Sequence, residues 1–379
     1  MVSELERFTA CMEYQPSDRR PNHELGVWPQ TVIRWQDEAP QAIADFGWNW
    51  FYIEPQLKLD RRDYIPMNYD MIPPFEYQLL EQTPDYEVLR DTHGILRKAL
   101  KEGTVAGGRM SMDQYLEFPI KTPADLPDIA RRLQPHAPGR QPENLEGQVE
   151  SWNKRDYPLV LGRNCDANGF YWRARELLGT ENLSLAWYDY PEMMHELMEI
   201  YAELIVEASR PVLEKIHVEY FVFNEDLSMK AGPLLSPKTY RTFIFPRMRR
   251  VVDFLKSHGV RYIALDTDGD PTVLVSTFME AGVDVLWPLE RASEVDPVRV
   301  RQRFGKSLRL WGGVDKRVIA QGPKAINAHL LALAPLIEEG GYIPTVDHTV
   351  PPDISWDNFR YYMDAKMHLL AGEFAKLAD

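Results

Sequence analysis

From residue 158 onward the chain repeats one pattern: a short apolar run, a polar or charged residue at its end, then a stretch with helical spacing. The runs lie at 157–162, 218–223, 262–265, 283–287, 308–311 and 341–345. Continuous apolar runs of this length suit strands buried on both faces, and strands alternating with helices require parallel βαβ units. Each run ends in chemistry: Asp166, Glu225, Asp266 with Asp268, Glu290, Asp315 with Lys316, and His348. A turn or helix cap would account for any one of them. Six in register are better explained by a barrel whose carboxyl-end loops build one site. That is an enzyme's layout, and a non-catalytic small-molecule-binding barrel would share it.

The densest of these ends is Arg261-Tyr-Ile-Ala-Leu-Asp266-Thr-Asp268-Gly-Asp270-Pro271. Asp266 and Asp268 are two apart, so on an extended segment they point the same way. Taken alone, the stretch reads as an aspartate-rich turn before a helix. Earlier in the chain, residues 1–21 read as a short helix and turn, and His23 to Trp28 as a first strand with an open end. Residues 40–56 hold Trp48, Trp50, Phe51, Tyr52 and Glu54, which suit either core or the wall of a flat apolar pocket. Asp70 stands on a loop before Pro73-Pro74, where a turn cap is the plain alternative. Residues 75–117 read as a mixture of short polar strands and helix, and 121–157 as surface helix plus loop.

Composition excludes several classes. A net charge of -14 argues against a nucleic-acid partner, which would want a basic face. No apolar run is long enough to span a bilayer, and the first residues do not read as a signal peptide. Cys11 and Cys165 are far apart and in no metal-like spacing, which excludes a disulfide framework and suits a reducing cytoplasm. Cys165 reads as a packed or pocket-lining thiol. The length of 379 residues suits one large α/β barrel.

The chain also resembles the superfamily of uroporphyrinogen decarboxylase and the corrinoid-linked methyltransferases. Asp18-Arg19-Arg20-Pro21 is similar to its N-terminal motif, and Gly232-Pro-Leu-Leu-Ser236-Pro-Lys, with Phe245-Pro246 further on, to a later loop and helix. Ala281-Gly282-Val-Asp284, Gly312-Gly313-Val-Asp315 and Gly340-Gly341-Tyr-Ile resemble its strand signatures. His348, with Pro351-Pro352 and Asn358, falls where the family places a histidine or cysteine. The likeness extends from about residue 215 to 365 and implies a TIM-like (β/α)8 barrel, one domain over residues 1–379, with 22–379 as the barrel. True decarboxylases hold their substrate's carboxylates with an arginine-bearing run, and the matching place here reads Leu25-Gly26-Val27-Trp28-Pro29. Such carboxylates need bidentate cations, so haem-pathway chemistry is not expected.

What the resemblance implies for the site is residue-specific. Asp70 resembles the family's catalytic aspartate and His348 its histidine. The methyltransferase branch binds zinc at the positions of Asp266, Asp268 and His348, here an oxygen and nitrogen set that makes a harder site suited to polarising an oxygen. Glu225 is a candidate general acid or fourth ligand, with pairing to Lys230 or Arg247 as the structural alternative. The expected activity is demethylation of an O- or N-methyl substrate, aryl substrates included, with the methyl group passing to a corrinoid on a partner protein. Trp28, Trp50, Tyr171 and Asp315 are the expected substrate contacts. A decarboxylase acting through Asp70 and His348 is the rival, and a homodimer stays open.

Overall fold

The computed structural model describes residues 2–43, 57–104, 108–109, 111–162 and 169–378. It opens with the helix Glu4–Met12, started by Ser3, whose hydroxyl accepts the Glu6 amide while the Glu6 carboxylate accepts the Ser3 amide. After the helix Pro29–Glu38 come β1 (Asp63–Ile65), β2 (Gln78–Gln82), β3 (Tyr86–Arg90), β4 (Leu96–Leu100) and β5 (Gln114–Glu117). The second half holds β6 (Leu159–Leu161), β7 (Tyr220–Asn224), the small hairpin β8 (Ser228–Met229) and β9 (Gly232–Pro233), β10 (Tyr262–Asp266), β11 (Val285–Trp287), β12 (Arg309–Trp311) and β13 (Tyr342–Ile343). Among the described residues no helix is long and apolar enough to cross a membrane.

Seven of these strands form one curled parallel sheet in the order β1-β6-β7-β10-β11-β12-β13. Its two faces follow the period of two that a strand imposes. Tyr220 and Val222 of β7, with Tyr262 and Ala264 of β10, face the inside of the curl. Phe221 and Phe223, with Ile263 and Leu265, belong instead to the large core built with the surrounding helices. The inside is filled at its amino end by the first helix: Phe8, Cys11 and Met12 are buried there with Trp287, Trp311 and Ile343. The Phe8 ring lies 5.8 Å from Tyr220 and 5.9 Å from Tyr262, at the starts of β7 and β10. That end of the curl is therefore closed, and chemistry is left to the carboxyl end.

The expectation is a closed eight-stranded barrel; among the described residues seven strands are laddered into the curled sheet. The expected first strand, His23 to Trp28, crosses the gap between β13 and β1 as an extended segment with one isolated bridge, Val27 to Val350. Side chains hold it in place of a ladder. The buried Glu24 carboxylate accepts from Lys366 Nζ at 2.5 Å, from the Tyr362 hydroxyl at 2.6 Å and from the Val346 amide at 3.0 Å. A buried carboxylate with three donors is satisfied, and it ties the gap to the last helix, Trp356–Leu370.

Residues 75–117 also differ from expectation. Where strand and helix were expected, the described residues form a four-stranded antiparallel sheet, β2-β3-β4-β5, with no helix. It is pinned to the rest of the protein by the turn between β3 and β4, where His93 Nε2 lies 3.0 Å from Asp70 Oδ2. Asp70 also takes Arg173 Nη1 at 2.9 Å. The Asp70 hydrogen bond raises the pKa of His93 against the effect of burial. Burial acts to raise the Asp70 carboxyl, and His93 and Arg173 overcome it, leaving it well below the usual range.

Two outcomes follow from this packing. His93 contributes below its ordinary pKa of about 6.5 and loses that share as pH rises through the raised value; Asp70 contributes above about 4 and loses its share as pH falls. The pair is thus strongest between roughly pH 4.5 and 6.5, and because both groups are part-exposed it is worth about 0.5–1 kcal/mol. His93→Gln should lower stability by that amount in urea melts at pH 6, with a smaller loss at pH 8.5. Gly169 offers a steeper test, since a Cβ there would stand 1.9 Å from the Asn224 carbonyl oxygen. Gly169→Ala should destabilise by about 3 kcal/mol, read as a lower denaturant midpoint, because backbone must move.

Candidate functional site

The strand register sets the height of the site. Asp266 is level with Asn224 of β7 and Trp287 of β11, so the residues after each emerge together. The turn after β10 is held from several sides: Thr267 N–H donates to the Trp287 carbonyl, Gly269 N–H to Glu290 Oε2, and Asp270 N–H to the Met229 carbonyl, each at 3.0 Å. Gly269 has φ +74°, and a Cβ on it would meet the Ser228 backbone at 2.6 Å. Only glycine fits where the β8–β9 hairpin crosses so closely. Asp268 is fixed in consequence, and its Oδ2 lies 3.3 Å from His348 Nε2.

These groups shape one another's protonation. Burial would lower the pKa of His348, but the hydrogen bond and charge of Asp268 raise it overall. Burial, then the charges of Asp268 and Asp226, push Asp266 well above the usual carboxylate range. Asp226 is also raised, by burial and Asp268, against the pull of Arg175. Asp226 Oδ2 accepts from Arg175 Nη1 at 2.8 Å, and its backbone sits at φ +35°. A left-handed aspartate costs free energy, and such residues gather at functional sites.

As a cation site the arrangement fits in part. A tetrahedral ion with bonds of about 2.0–2.1 Å needs donors roughly 3.3 Å apart, which Asp268 and His348 satisfy. Among the described residues, however, no three His, Cys, Asp or Glu side chains stand grouped for a metal, so Asp266 does not complete a triad with them. Asp268 and His348 thus offer two donors, and a tetrahedral ion would need more than these two.

The other expected residues are placed as follows. Glu225 is fully buried, and its two oxygens accept the amides of Phe170 and Tyr171 at 3.1 and 2.6 Å. Burial raises it to about 7, against those backbone bonds. It anchors the start of the helix Phe170–Leu178 and pairs with neither Lys230 nor Arg247. Tyr171 lies beneath the site, its hydroxyl buried without a hydrogen-bond partner among the described residues and pushed up to about 12 by burial. Asp315 caps the short helix Lys316–Ile319 and pairs with Arg317 at 2.7 Å. Trp28 is half-buried, its amide on the Val350 carbonyl two residues beyond His348. Trp50, the other aromatics of 48–52, Cys165 and Asp166 lie outside the described residues.

One feature was not foreseen: a cavity of about 330 Å³ between the antiparallel sheet and the Phe170–Leu178 helix. Arg97 and Tyr115 line it from the sheet, Trp172, Arg175 and Glu176 from the helix, and Asp226 from the end of β7. Asp226 thus joins the cavity to the Asp268–His348 pair. A hint was present in Trp172, Arg175 and Glu176, which share a helix face at spacings of three and four. Their partners come from strands that 75–117 conceals.

A model of the uroporphyrinogen decarboxylase (URO-D) family matches residues 174–368, just over half of the chain. The uroporphyrinogen decarboxylase of Nocardia farcinica is 25% identical over 241 residues, covering 62% of this chain and 65% of that protein. That of Crocosphaera subtropica is 26% identical over 188 residues, covering 47% and 48%. The chain thus spans between about half and two-thirds of the length of these relatives. Among solved structures, a methyltransferase from Methanosarcina mazei superposes with a TM-score of 0.59 over 97% of this chain and 99% of that one, at 16% identity, which is a likeness of fold. Parallel strands ending in level acids, and a family match over the part of the chain that carries them, agree: the chain belongs to the uroporphyrinogen decarboxylase family of enzymes.

Proposed function

We propose that the enzyme removes a methyl group from a small O- or N-methyl substrate and delivers it to a corrinoid carried by a partner protein. The observation that supports it most is the Asp268–His348 pair, with Asp226 linking it to a cavity of single-ligand size. At about 330 Å³ that cavity is at the lower end of the range for small-molecule sites. The arginine clamp expected for a many-carboxylate substrate is absent at 25–29. Nearby arginines are engaged within the protein: Arg19 with Asp60, and Arg62 with the Glu24 carbonyl.

The chain's own part is binding and proton delivery. The substrate would sit against Trp172 and Tyr115 with its methylated heteroatom toward Asp226. His348, favoured in its charged form by Asp268, holds a proton at Nε2. As the carbon–heteroatom bond breaks, its electron pair leaves with the heteroatom, which takes that proton. The corrinoid supplies the nucleophile that accepts the methyl group. Asp70, paired with Arg173 and His93 beside the cavity, supports a second reading, decarboxylation of a small acid.

The test is an anaerobic assay with reduced cobalamin and a panel of methoxyarenes and methylated amines. A member of the panel should methylate the cobalamin, seen in its absorption spectrum. His348→Ala should lower kcat about 100-fold or more, the range for a lost general acid. Uroporphyrinogen should not be converted to coproporphyrinogen; its conversion, or release of carbon dioxide from a small acid without methyl transfer, would favour the second reading. A divalent ion on Asp268 and His348 would need a third donor from water, substrate or undescribed residues, and elemental analysis of chelator-free protein measures it directly.

A further inference from the structure

The cavity beside Asp226 is walled by rings, and each charged side chain on its lining is already paired within the protein. Three aromatic side chains line it: Tyr115 from β5, Phe118 just beyond that strand, and Trp172 from the helix Phe170–Leu178. The Tyr115 and Phe118 rings are 5.9 Å apart, inclined at 42°. Gly179 lets Phe118 lie against the end of the helix, since a Cβ there would meet the ring at 2.2 Å. Ile95 and Met112 add apolar surface.

The pairing runs all round the lining. Arg97 is shared by Asp91 at 3.4 Å and Asp113 at 3.0 Å. Arg175 is held by Asp226 at 2.8 Å and by the Thr180 hydroxyl at 3.1 Å, and its guanidinium lies 5.7 Å from the centre of the Trp172 ring. Glu176 has the buried Arg173 guanidinium at 3.2 Å, and His93 is taken by Asp70. A charged guest of either sign would shed its hydration here and meet no unpaired opposite charge. An uncharged ring sheds little hydration and gains contact with the aromatic walls. Size points the same way: a cavity of about 150 Å³ with apolar walls takes up benzene. At about 330 Å³, this one has room for a single ring carrying small substituents.

We propose that this cavity binds an uncharged, single-ring aryl methyl ether. The inference rests on the methyl-transfer reading and deepens it, choosing an aryl ether over a methylated amine, which is a cation near neutral pH. Asp226 borders both the cavity and the mouth, so a ring seated between Tyr115 and Trp172 directs its methoxy group past Asp226 toward His348. The methyl–oxygen bond breaks with its electron pair left on oxygen. The methyl group passes to the reduced corrinoid, whose own electron pair forms the new bond. The phenolate takes the proton from His348 Nε2 and leaves as a neutral phenol.

Isothermal titration of the full chain with anisole, methoxycyclohexane, 4-methoxybenzoate and N,N,N-trimethylanilinium tests this. Anisole should bind about 10-fold or more tightly than either ion, each of which must shed its hydration. It should bind about 3-fold or more tightly than methoxycyclohexane, the same skeleton without an aromatic face. Trp172→Leu and Tyr115→Leu should each weaken anisole several-fold. Tyr115 lies on an edge strand and is part-exposed, so its variant keeps the test open should Trp172→Leu fail to fold. Lys98 alternates with Arg97 along β4 and rests on the Tyr86 ring on the other face of the sheet, so Lys98→Ala should leave binding unchanged. Binding of either ion or of methoxycyclohexane as tight as that of anisole would overturn the inference, as would anisole binding that survives both ring substitutions. So would methyl transfer to cobalamin from a methylated amine without any anisole binding, which would leave the methyl-transfer reading intact. Anisole held in the cavity, with no methyl reaching cobalamin from any donor, would do the reverse.

Discussion

The arrangement depends on one buried carboxylate. Glu225 grips the first amides of the helix Phe170–Leu178 and so fixes that helix to the end of β7. A helix start carries orphan N–H groups and a partial positive charge, and a carboxylate answers both. The close approach of Gly169 to the Asn224 carbonyl completes the joint from the backbone side. From that helix project Trp172, Arg173, Arg175 and Glu176, which hold Asp70, hold Asp226 and wall the cavity. Next to Glu225 in sequence, Asp226 turns the other way, toward solvent and the mouth of the curl. One residue builds the frame, and its neighbour faces the chemistry.

The mouth itself is under electrostatic tension. Asp226, Asp266 and Asp268 influence one another, and Asp266 has no cation among the charges that act on it. Such a group stays neutral or waits for positive charge to arrive. His348 meets part of the demand through Asp268.

How much of this was legible in the sequence depends on the range of the interactions. The strands β7, β10, β11 and β12 announce themselves as apolar runs because both faces are buried, and the meeting of Asp268 with His348 follows from strand ends standing in one ring. Asp315 looked the same in sequence, yet it serves its own helix; a cap and a site residue differ only in what lies opposite. The gap-crossing segment at 23–28 resembles a strand in sequence because Glu24's partners, Tyr362 and Lys366, lie more than 300 positions away. The antiparallel sheet was obscured for the opposite reason. Every residue of β2 is exposed, so no hydrophobic period marks it.

The helix that plugs the amino end has a consequence for how the chain comes to be folded. Cys11 Sγ donates to the Tyr342 carbonyl across 331 positions, and Gly341 N–H donates to the Cys11 carbonyl. The helix Glu4–Met12 therefore finds its seat only once residues 341 and 342 have been made. Until then Phe8, Cys11 and Met12 are an apolar stripe without a partner, and the inner face of the sheet is an open trough. Contacts of such sequence separation carry a large loop-closure cost and slow the last step of assembly. Until residues 341 and 342 follow, the nascent sheet lacks its floor, a state in which exposed strands invite aggregation and a chaperone's shelter has its greatest effect.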